Sequence, residues 1–311
     1  MRKTCLDSVF KIAKKNKKII FIGSDLGPGV LDNFKNEIPK RFFMEGVSEQ
    51  HIIGMSAGMA LNGFIPYVNT IGTFITRRCY EQLIIDLSLH NLPVRLIGNG
   101  GGLVYAPLGP THQAIDDIGI MRIIPNMKII CPCDSNEMKK LMRDTVHTKG
   151  PVYIRLAKGG DEIVTNKFKN INLGKAIKFG KTKNILIIST GIMTQIALKI
   201  RKKFLEKKIE CSVLHLGTIK PLDIKSLKKN ISDSRIVFTL EEHILNGGFG
   251  SSILEFCSDN MKNNLPKINR FGLNNNFVEK YGSQEELLKY FNLDANTLYK
   301  KMLRRIKKNE S

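Results

Sequence analysis

No uninterrupted apolar run in this chain is long enough to span a bilayer. The first twenty residues, MRKTCLDSVFKIAKKNKKII, also lack the apolar centre of a secretory leader, because lysines and Asp7 interrupt it. They read instead as an amphipathic helix followed by a buried strand. The six cysteines form no regular framework, and Cys131-Pro-Cys133 lacks the two-residue spacing of a zinc pair. Reduced thiols and a cytoplasmic location are therefore expected. There is no GxxxxGK[ST] phosphate loop, and Gly23, Gly27 and Gly29 do not space as a dinucleotide fingerprint. Local Ser-His-Asp or Cys-His signatures, internal repeats and low-complexity segments are missing too. Acidic residues are scarce: 28 Asp and Glu stand against 49 Lys and Arg, a net charge of +21. The surplus is spread over most predicted helices, with no RNA-binding module, zinc finger or aromatic-basic platform beside it. It indicates a solvated basic surface, and neither a nucleic-acid nor a membrane partner is expected.

What is present is an ordinary globular composition, 311 residues of which 42% are hydrophobic, with room for two domains. Strand-like runs occur at KKIIFIG, KRFFME, PYVNT, PVRLIG, MKIICP and PVYIRL. Helical patterns such as CYEQLIIDLSLHN and SNEMKKLMRDTVHTKG lie between them. This alternation predicts an α/β fold, a mostly parallel sheet with flanking helices, over residues 1–165. The lysine-rich stretch 166–182 reads as a linker. Residues 183–311 then form a second, smaller α/β domain, with strands at NILIISTG, CSVLHLG and SRIVFTLEE and a helix from about Met193 to Lys208.

Two stretches invite chemistry. In FFMEGVSEQHIIGMSAGMALNGF a short strand passes through Gly46 into a helix, with Glu49 at its start just after Ser48. On position alone, Glu49 is a favourable charge on the helix dipole. Gly54, Ala57 and Gly58 put small residues on neighbouring turns, where another backbone could approach. The second stretch, GNGGGLVYAPLGPTHQAIDD, is a long glycine-rich loop after a strand and ends in Thr111-His112-Gln113. Ligands bind at such strand ends in open α/β sheets, and histidine offers a donor or acceptor near neutral pH. Taken alone, His112 reads equally well as a capping or packed histidine.

The segments GVSEQH, TFITRRCYEQ, LGPTHQAIDDIGIMR with IPNMKIICPCD, and LEEHILNGGFGS occur in the order found in the transketolase family. The chain resembles that family's pyrimidine-binding domain followed by its C-terminal domain, over nearly its whole length. It is most similar in pattern to the C-terminal subunits of split, two-subunit transketolases. The resemblance implies thiamine diphosphate shared between two chains, with the aminopyrimidine ring held here. Glu49 falls on the catalytic glutamate, which hydrogen-bonds a ring nitrogen. Phe74 falls on the ring face, with Ile75 as an alternative register. Arg78 and Tyr80 border the pocket, Asp25 and Leu26 contact the cofactor, and His51 packs nearby. His112 matches a histidine that contacts the reacting oxygen of the substrate.

The departures concern the substrate. Gly29 and Gly100 stand where a serine and a histidine contact substrate phosphate, and Leu108 where an acid reads a sugar hydroxyl. Arg155 and Lys158 still offer cations to the substrate. The glycines predict an opened pocket and a substrate larger than, or different from, a common pentose phosphate, such as a nucleotide-linked or branched sugar. No GDG followed by an NN pair occurs in the sequence. The diphosphate and its Mg2+ are therefore expected on a separate N-terminal subunit, in an α2β2 assembly. No metal site is expected in this chain, and Glu241, Glu242 and His243 read as structural. The implied reaction is transfer of a two-carbon ketol unit from a ketose to an aldose. One alternative is the β subunit of a 2-oxo acid dehydrogenase, against which Thr-His-Gln after the glycine loop speaks. Another is a non-catalytic basic scaffold, against which Glu49 and His112 speak.

Overall fold

The computed structural model describes residues 1–24, 29, 31–181, 184–261 and 265–308. Among them the strands are β1 (Ile19–Gly23), β2 (Phe42–Met44), β3 (Ile65–Ile71), β4 (Arg95–Asn99), β5 (Lys128–Ile130), β6 (Val152–Leu156), β7 (Ile177–Phe179), β8 (Ile185–Ser189), β9 (Cys211–His215), β10 (Thr218–Lys220), β11 (Ile236–Ile244) and β12 (Lys267–Leu273). They form two sheets, ordered β10-β5-β6-β4-β3-β1-β2 and β12-β11-β8-β9-β7. Each sheet is parallel except at one edge, where β10 runs antiparallel to β5 and β7 antiparallel to β9. The fold is thus α/β, with two mostly parallel sheets flanked by helices.

Physical chemistry explains the pattern. Strands β1, β4, β6, β8 and β9 are buried along their whole length. Parallel strands covered by helices on both faces need continuous apolar runs rather than alternation, and IIFIG or ILIIS supplies them. The N-terminal helix Arg2–Lys15 turns Cys5, Leu6, Val9 and Ala13 inward, into the same core as Leu141 and Met142 of the helix Ser135–Thr145. That second helix is started by Asp134, whose carboxylate accepts the Glu137 N–H at 2.8 Å. No helix among the described residues is long and apolar enough to cross a membrane.

Three features differ from the sequence reading. β7 lies inside the stretch expected to be a linker. β10, from the second half of the chain, pairs with the first sheet through Thr218 opposite Ile130. Both strands have three residues, too short for any hydrophobic period to show. The expected helix CYEQLIIDLSLHN is also not a plain α-helix. The chain winds into π turns at Phe74–Arg78 and Leu83–Ser88, with one α turn, Tyr80–Gln82, between them.

The strand order positions the site. From β1 the chain moves outward to β2, then returns to the other side of β1 with β3. The carboxyl ends of β1 and β3 therefore flank a topological switch point, where connections leave in opposite directions and open a crevice.

Candidate functional site

Glu49 opens the helix Glu49–Leu61. The preceding Ser48 does not cap it, because its hydroxyl donates instead to the Glu45 carbonyl at 2.8 Å. Glu49 is only 3% exposed, far more buried than a carboxylate placed merely to oppose a helix dipole. Burying an ionised carboxylate costs several kcal/mol unless partners compensate. Oε2 receives Arg78 Nη1 at 2.8 Å. Oε1 meets the hydroxyls of Ser24, just beyond β1, and Thr70, near the end of β3, at 3.4 and 3.5 Å. These are long contacts, because the two hydroxyls bond each other at 2.6 Å. Glu49 thus sits in the switch-point crevice with one oxygen loosely held and the other bound to an arginine that is 47% exposed.

The π winding places Arg78 over Phe74, with Cζ 4.0 Å from the ring centroid. The Phe74 ring in turn meets the His112 ring edge-on, centroids 5.1 Å apart. Thr111 Oγ1 lies 2.8 Å from His112 Nδ1. Glu49, Arg78, Phe74 and His112 therefore form one continuous row of contacts. Ile75, the alternative to Phe74, is fully buried in the core, and half-buried Tyr80 packs against that core. His51 is exposed rather than packed beside Glu49. Burial pushes the Cys79 thiol up to about 12, and the nearby Glu49 carboxylate adds to the rise, so this cysteine is no nucleophile.

Sequence reasoning missed Arg77. Its guanidinium forks onto Asp116, with Nε and Nη2 each at 2.9 Å, and Nη2 also donates to the Gln113 carbonyl at 3.2 Å. It ties the π turn to the loop that carries His112. The pair also borders a cavity of about 620 Å³ that reaches Asn275–Phe277 but not Glu49.

The expected substrate residues separate into two groups. Gly29 and Lys158 line one cavity of about 320 Å³ together with Arg2, Lys3 and Asp7. The two further cations come from the N-terminal helix, where nothing in the sequence distinguishes them from other lysines and arginines of an amphipathic surface. Arg155 does not join them, and the expectation for it is corrected. It is buried, with Nε 2.7 Å from Asp117 Oδ2 and Nη2 3.0 Å from the carbonyls of Ala114 and Glu242, so Nε and Nη2 are spent on the protein itself. Gly100 does not open a pocket either. The Tyr105 ring fills the place a Cβ would take, and φ is +78°. Leu108 is exposed. Asp25 and Leu26 lie outside the described residues.

The six cysteines are all buried and unpaired. Donor atoms of Cys133, Glu137 and His215 lie within 4.8 Å of one another. They read as a hydrogen-bonded group between the two sheets. Glu137 Oε2 accepts the Cys133 N–H at 2.7 Å and lies 2.8 Å from His215 Nε2, while His215 Nδ1 is 2.7 Å from Thr194 Oγ1. Glu241, Glu242 and His243 each accept a backbone N–H, from Gly250, Leu103 and Gly119 at 2.9, 3.0 and 3.1 Å. Burial pushes the Glu241 carboxyl up to about 8 and the Glu242 carboxyl up, and holds the His243 imidazole down.

The profile of the transketolase pyrimidine binding domain matches residues 1–160, and that of the transketolase C-terminal domain matches residues 174–298. A putative transketolase C-terminal section from Methanocaldococcus jannaschii is 32% identical over 311 residues, covering 99% of this chain and 96% of that protein. One of the subunits of an apulose-4-phosphate transketolase, from Phocaeicola vulgatus, is 30% identical, covering 99% and 97%. A 1-deoxy-D-xylulose-5-phosphate synthase of Halothermothrix orenii is 34% identical, and there the match covers 96% of this chain but only 46% of the synthase. Among solved structures, one described as a split gene transketolase, inactive beta4 tetramer, superposes with a TM-score of 0.86 at 28% identity, over 96% of this chain and 95% of that one. With both domain profiles matched in order and full-length relatives at 30% identity or more, this chain belongs to the transketolase family.

Proposed function

We propose that the chain is the pyrimidine-binding subunit of a two-subunit, thiamine diphosphate-dependent transketolase that moves a two-carbon ketol unit between a ketose and an aldose. The observation that carries this reading is the row Glu49–Arg78–Phe74–His112 at the switch-point crevice. The donor set fits the ring half of the cofactor: a buried carboxylate with a loosely engaged oxygen, and an aromatic face beside it. When bound, thiamine diphosphate supplies the electron sink for carbon–carbon cleavage. Glu49 shares a proton with a ring nitrogen, a task for which burial and geometry suit it. Phe74 offers the apolar face against the ring, and Arg78 borders it. With Nδ1 of His112 engaged by Thr111, Nε2 is the nitrogen left to exchange a proton with the substrate oxygen.

Arg2, Lys3 and Lys158 around Gly29 support an anionic group on the substrate. A sugar phosphate thus becomes the favoured substrate class over the larger or nucleotide-linked sugar that the glycines suggested. Relatives named for apulose 4-phosphate and deoxyxylulose 5-phosphate support the same class. The Mg2+ and diphosphate contacts belong to a separate N-terminal subunit in an α2β2, cytoplasmic assembly. Residues 1–165 form the pyrimidine-binding domain and 183–311 the C-terminal domain, to which β7 of the connecting stretch 166–182 also belongs. The relative described as an inactive β tetramer supports a chain that self-associates and is silent alone.

The test is purification of this chain alone and together with a partner that carries the GDG and NN motifs. Ketol transfer between xylulose 5-phosphate and ribose 5-phosphate is expected only for the pair. Turnover by the single chain, or tight magnesium-dependent binding of thiamine diphosphate to it in a calorimeter, would overturn the two-subunit reading.

A further inference from the structure

The end of β11, which belongs to the second sheet, is buried against the first domain at the segments that flank His112. Glu242 Oε1 accepts the Leu103 N–H at 3.0 Å, and the same oxygen accepts Gln284 Nε2 at 2.8 Å. The carboxylate occupies the place that a Cβ on Gly102 would need, so glycine is required there. On the far side of His112, the Ile244 N–H donates to the Ile115 carbonyl at 2.9 Å, and His243 Nε2 accepts the Gly119 N–H at 3.1 Å. Arg155 Nη2 bridges the carbonyls of Ala114 and Glu242 at 3.0 Å each. The stretch bearing His112 is therefore fastened at its entry and at its exit by one buried segment of the other domain.

The entry needs such a fastening. Gly100, Gly101 and Gly102 are consecutive, and glycine loses more conformational freedom on ordering than any other residue. Backbone bonds of Gly100 and Gly101 to the Leu156 carbonyl, at 3.1 and 2.8 Å, and of Gly102 to the Ala114 carbonyl at 2.8 Å hold the glycines themselves, and the next amide, that of Leu103, is the one Glu242 takes. A carboxylate on an amide N–H is a stronger tie than a neutral acceptor. It is also a costly one, since Glu242 is almost fully buried and its second oxygen has no hydrogen-bond partner among the described residues. A side chain serving packing alone would do better as an amide or a hydrocarbon.

We propose that Glu242 is a positioning residue for His112: delivered by the C-terminal domain, its carboxylate fixes the glycine-rich loop so that the imidazole keeps its place against Phe74. The catalytic part of this proposal rests on the reading of His112 as the substrate-facing group; the structural part does not.

Amide hydrogen exchange read by mass spectrometry on the full chain tests the structural part directly. Glu242→Ala should speed exchange in the peptide containing Leu103 about tenfold or more, the scale of one lost charge-assisted hydrogen bond. Glu242→Gln keeps a neutral, weaker acceptor for that amide and should speed exchange by a smaller factor than alanine, about threefold. If the alanine variant fails to fold, Gln284→Met removes only the second donor from the same oxygen and should loosen the same peptide by a smaller factor. In the complex with the partner subunit, Glu242→Ala should lower kcat/KM for the sugar about tenfold, and Glu242→Gln should restore most of it. Exchange of the thiazolium C2 proton of the bound cofactor, the step this functional reading assigns to Glu49, should be unchanged. Equal loop exchange in wild type and all variants would overturn the proposal. So would a loosened loop with unaltered sugar kinetics. A wild-type complex without ketol transfer would instead sink the functional reading, and the exchange data would still decide whether Glu242 holds the loop.

Discussion

Glu49 and Glu242 are equally withdrawn from water, at 3% and 2% exposure, yet they are held in opposite ways. Glu49 is held loosely: by two buried hydroxyls at 3.4 and 3.5 Å that bond each other at 2.6 Å, and by a half-exposed arginine. Glu242 is held closely at one oxygen, by a backbone amide at 3.0 Å and a glutamine at 2.8 Å. Its main chain is clamped as well by Arg155, itself committed to Asp117. A carboxylate that must exchange a proton with a ligand cannot have all its lone pairs saturated by rigid donors. One that anchors a loop is useful only if its bonding oxygen is held by them. Burial alone does not distinguish a reacting acid from a structural one; the exchangeability of its partners does.

The comparison can be broken at its rigid end first. Replacing Arg155 by Met leaves Asp117, fully buried, without its counter-charge, and should cost about 3–5 kcal/mol of stability in chemical denaturation. A loss below about 1 kcal/mol would return Arg155 to the substrate-facing cations among which the sequence reading placed it. At the other end, Glu49→Gln should leave the melting temperature nearly unchanged while ketol transfer by the assembled enzyme falls about a hundredfold or more. Full activity in that variant would return Glu49 to a helix-dipole role.

The last expected effect is a slope rather than a single loss. The Glu241 carboxyl is pushed up by burial from 4.5 to about 8. Between those values the folded chain holds a proton that the unfolded chain has lost, so stability falls as pH rises through that window and levels off beyond it. The steepest fall is about 1.4 kcal/mol per pH unit, and Glu241→Gln should flatten it. Denaturant titrations from pH 5 to 8 read this directly, and identical slopes in the two proteins would show that another group carries the dependence.

How much of this was legible in the sequence depends on what each feature leaves behind in it. Strands such as IIFIG and ILIIS announce themselves, because both faces are covered and every position must be apolar. Glu49 and His112 were singled out through the order of short motifs rather than through any local physical signal. The choice of Phe74 over Ile75 needed the π winding, which has no clear sequence signature. Arg155 was misjudged because a sequence shows charge but not burial, and Gly100 because a missing side chain says nothing about which neighbour fills the space, here Tyr105. The clamp at Glu242 was not legible at all. It joins residues 139 positions apart, and its only trace is a glycine at 102 among other glycines.

The crossing of β10 into the first sheet has a practical consequence for anyone dissecting the molecule. A fragment ending near residue 165 would keep every residue of the row from Glu49 to His112, yet it would strip β5 of its outer neighbour. The Lys128–Ile130 edge would then offer unpaired amides and carbonyls to any passing strand, which invites aggregation. Such a fragment should be expressed with Thr218–Lys220 grafted onto it or with a charge introduced on that edge, because the sheet ends later in the chain than the domain does.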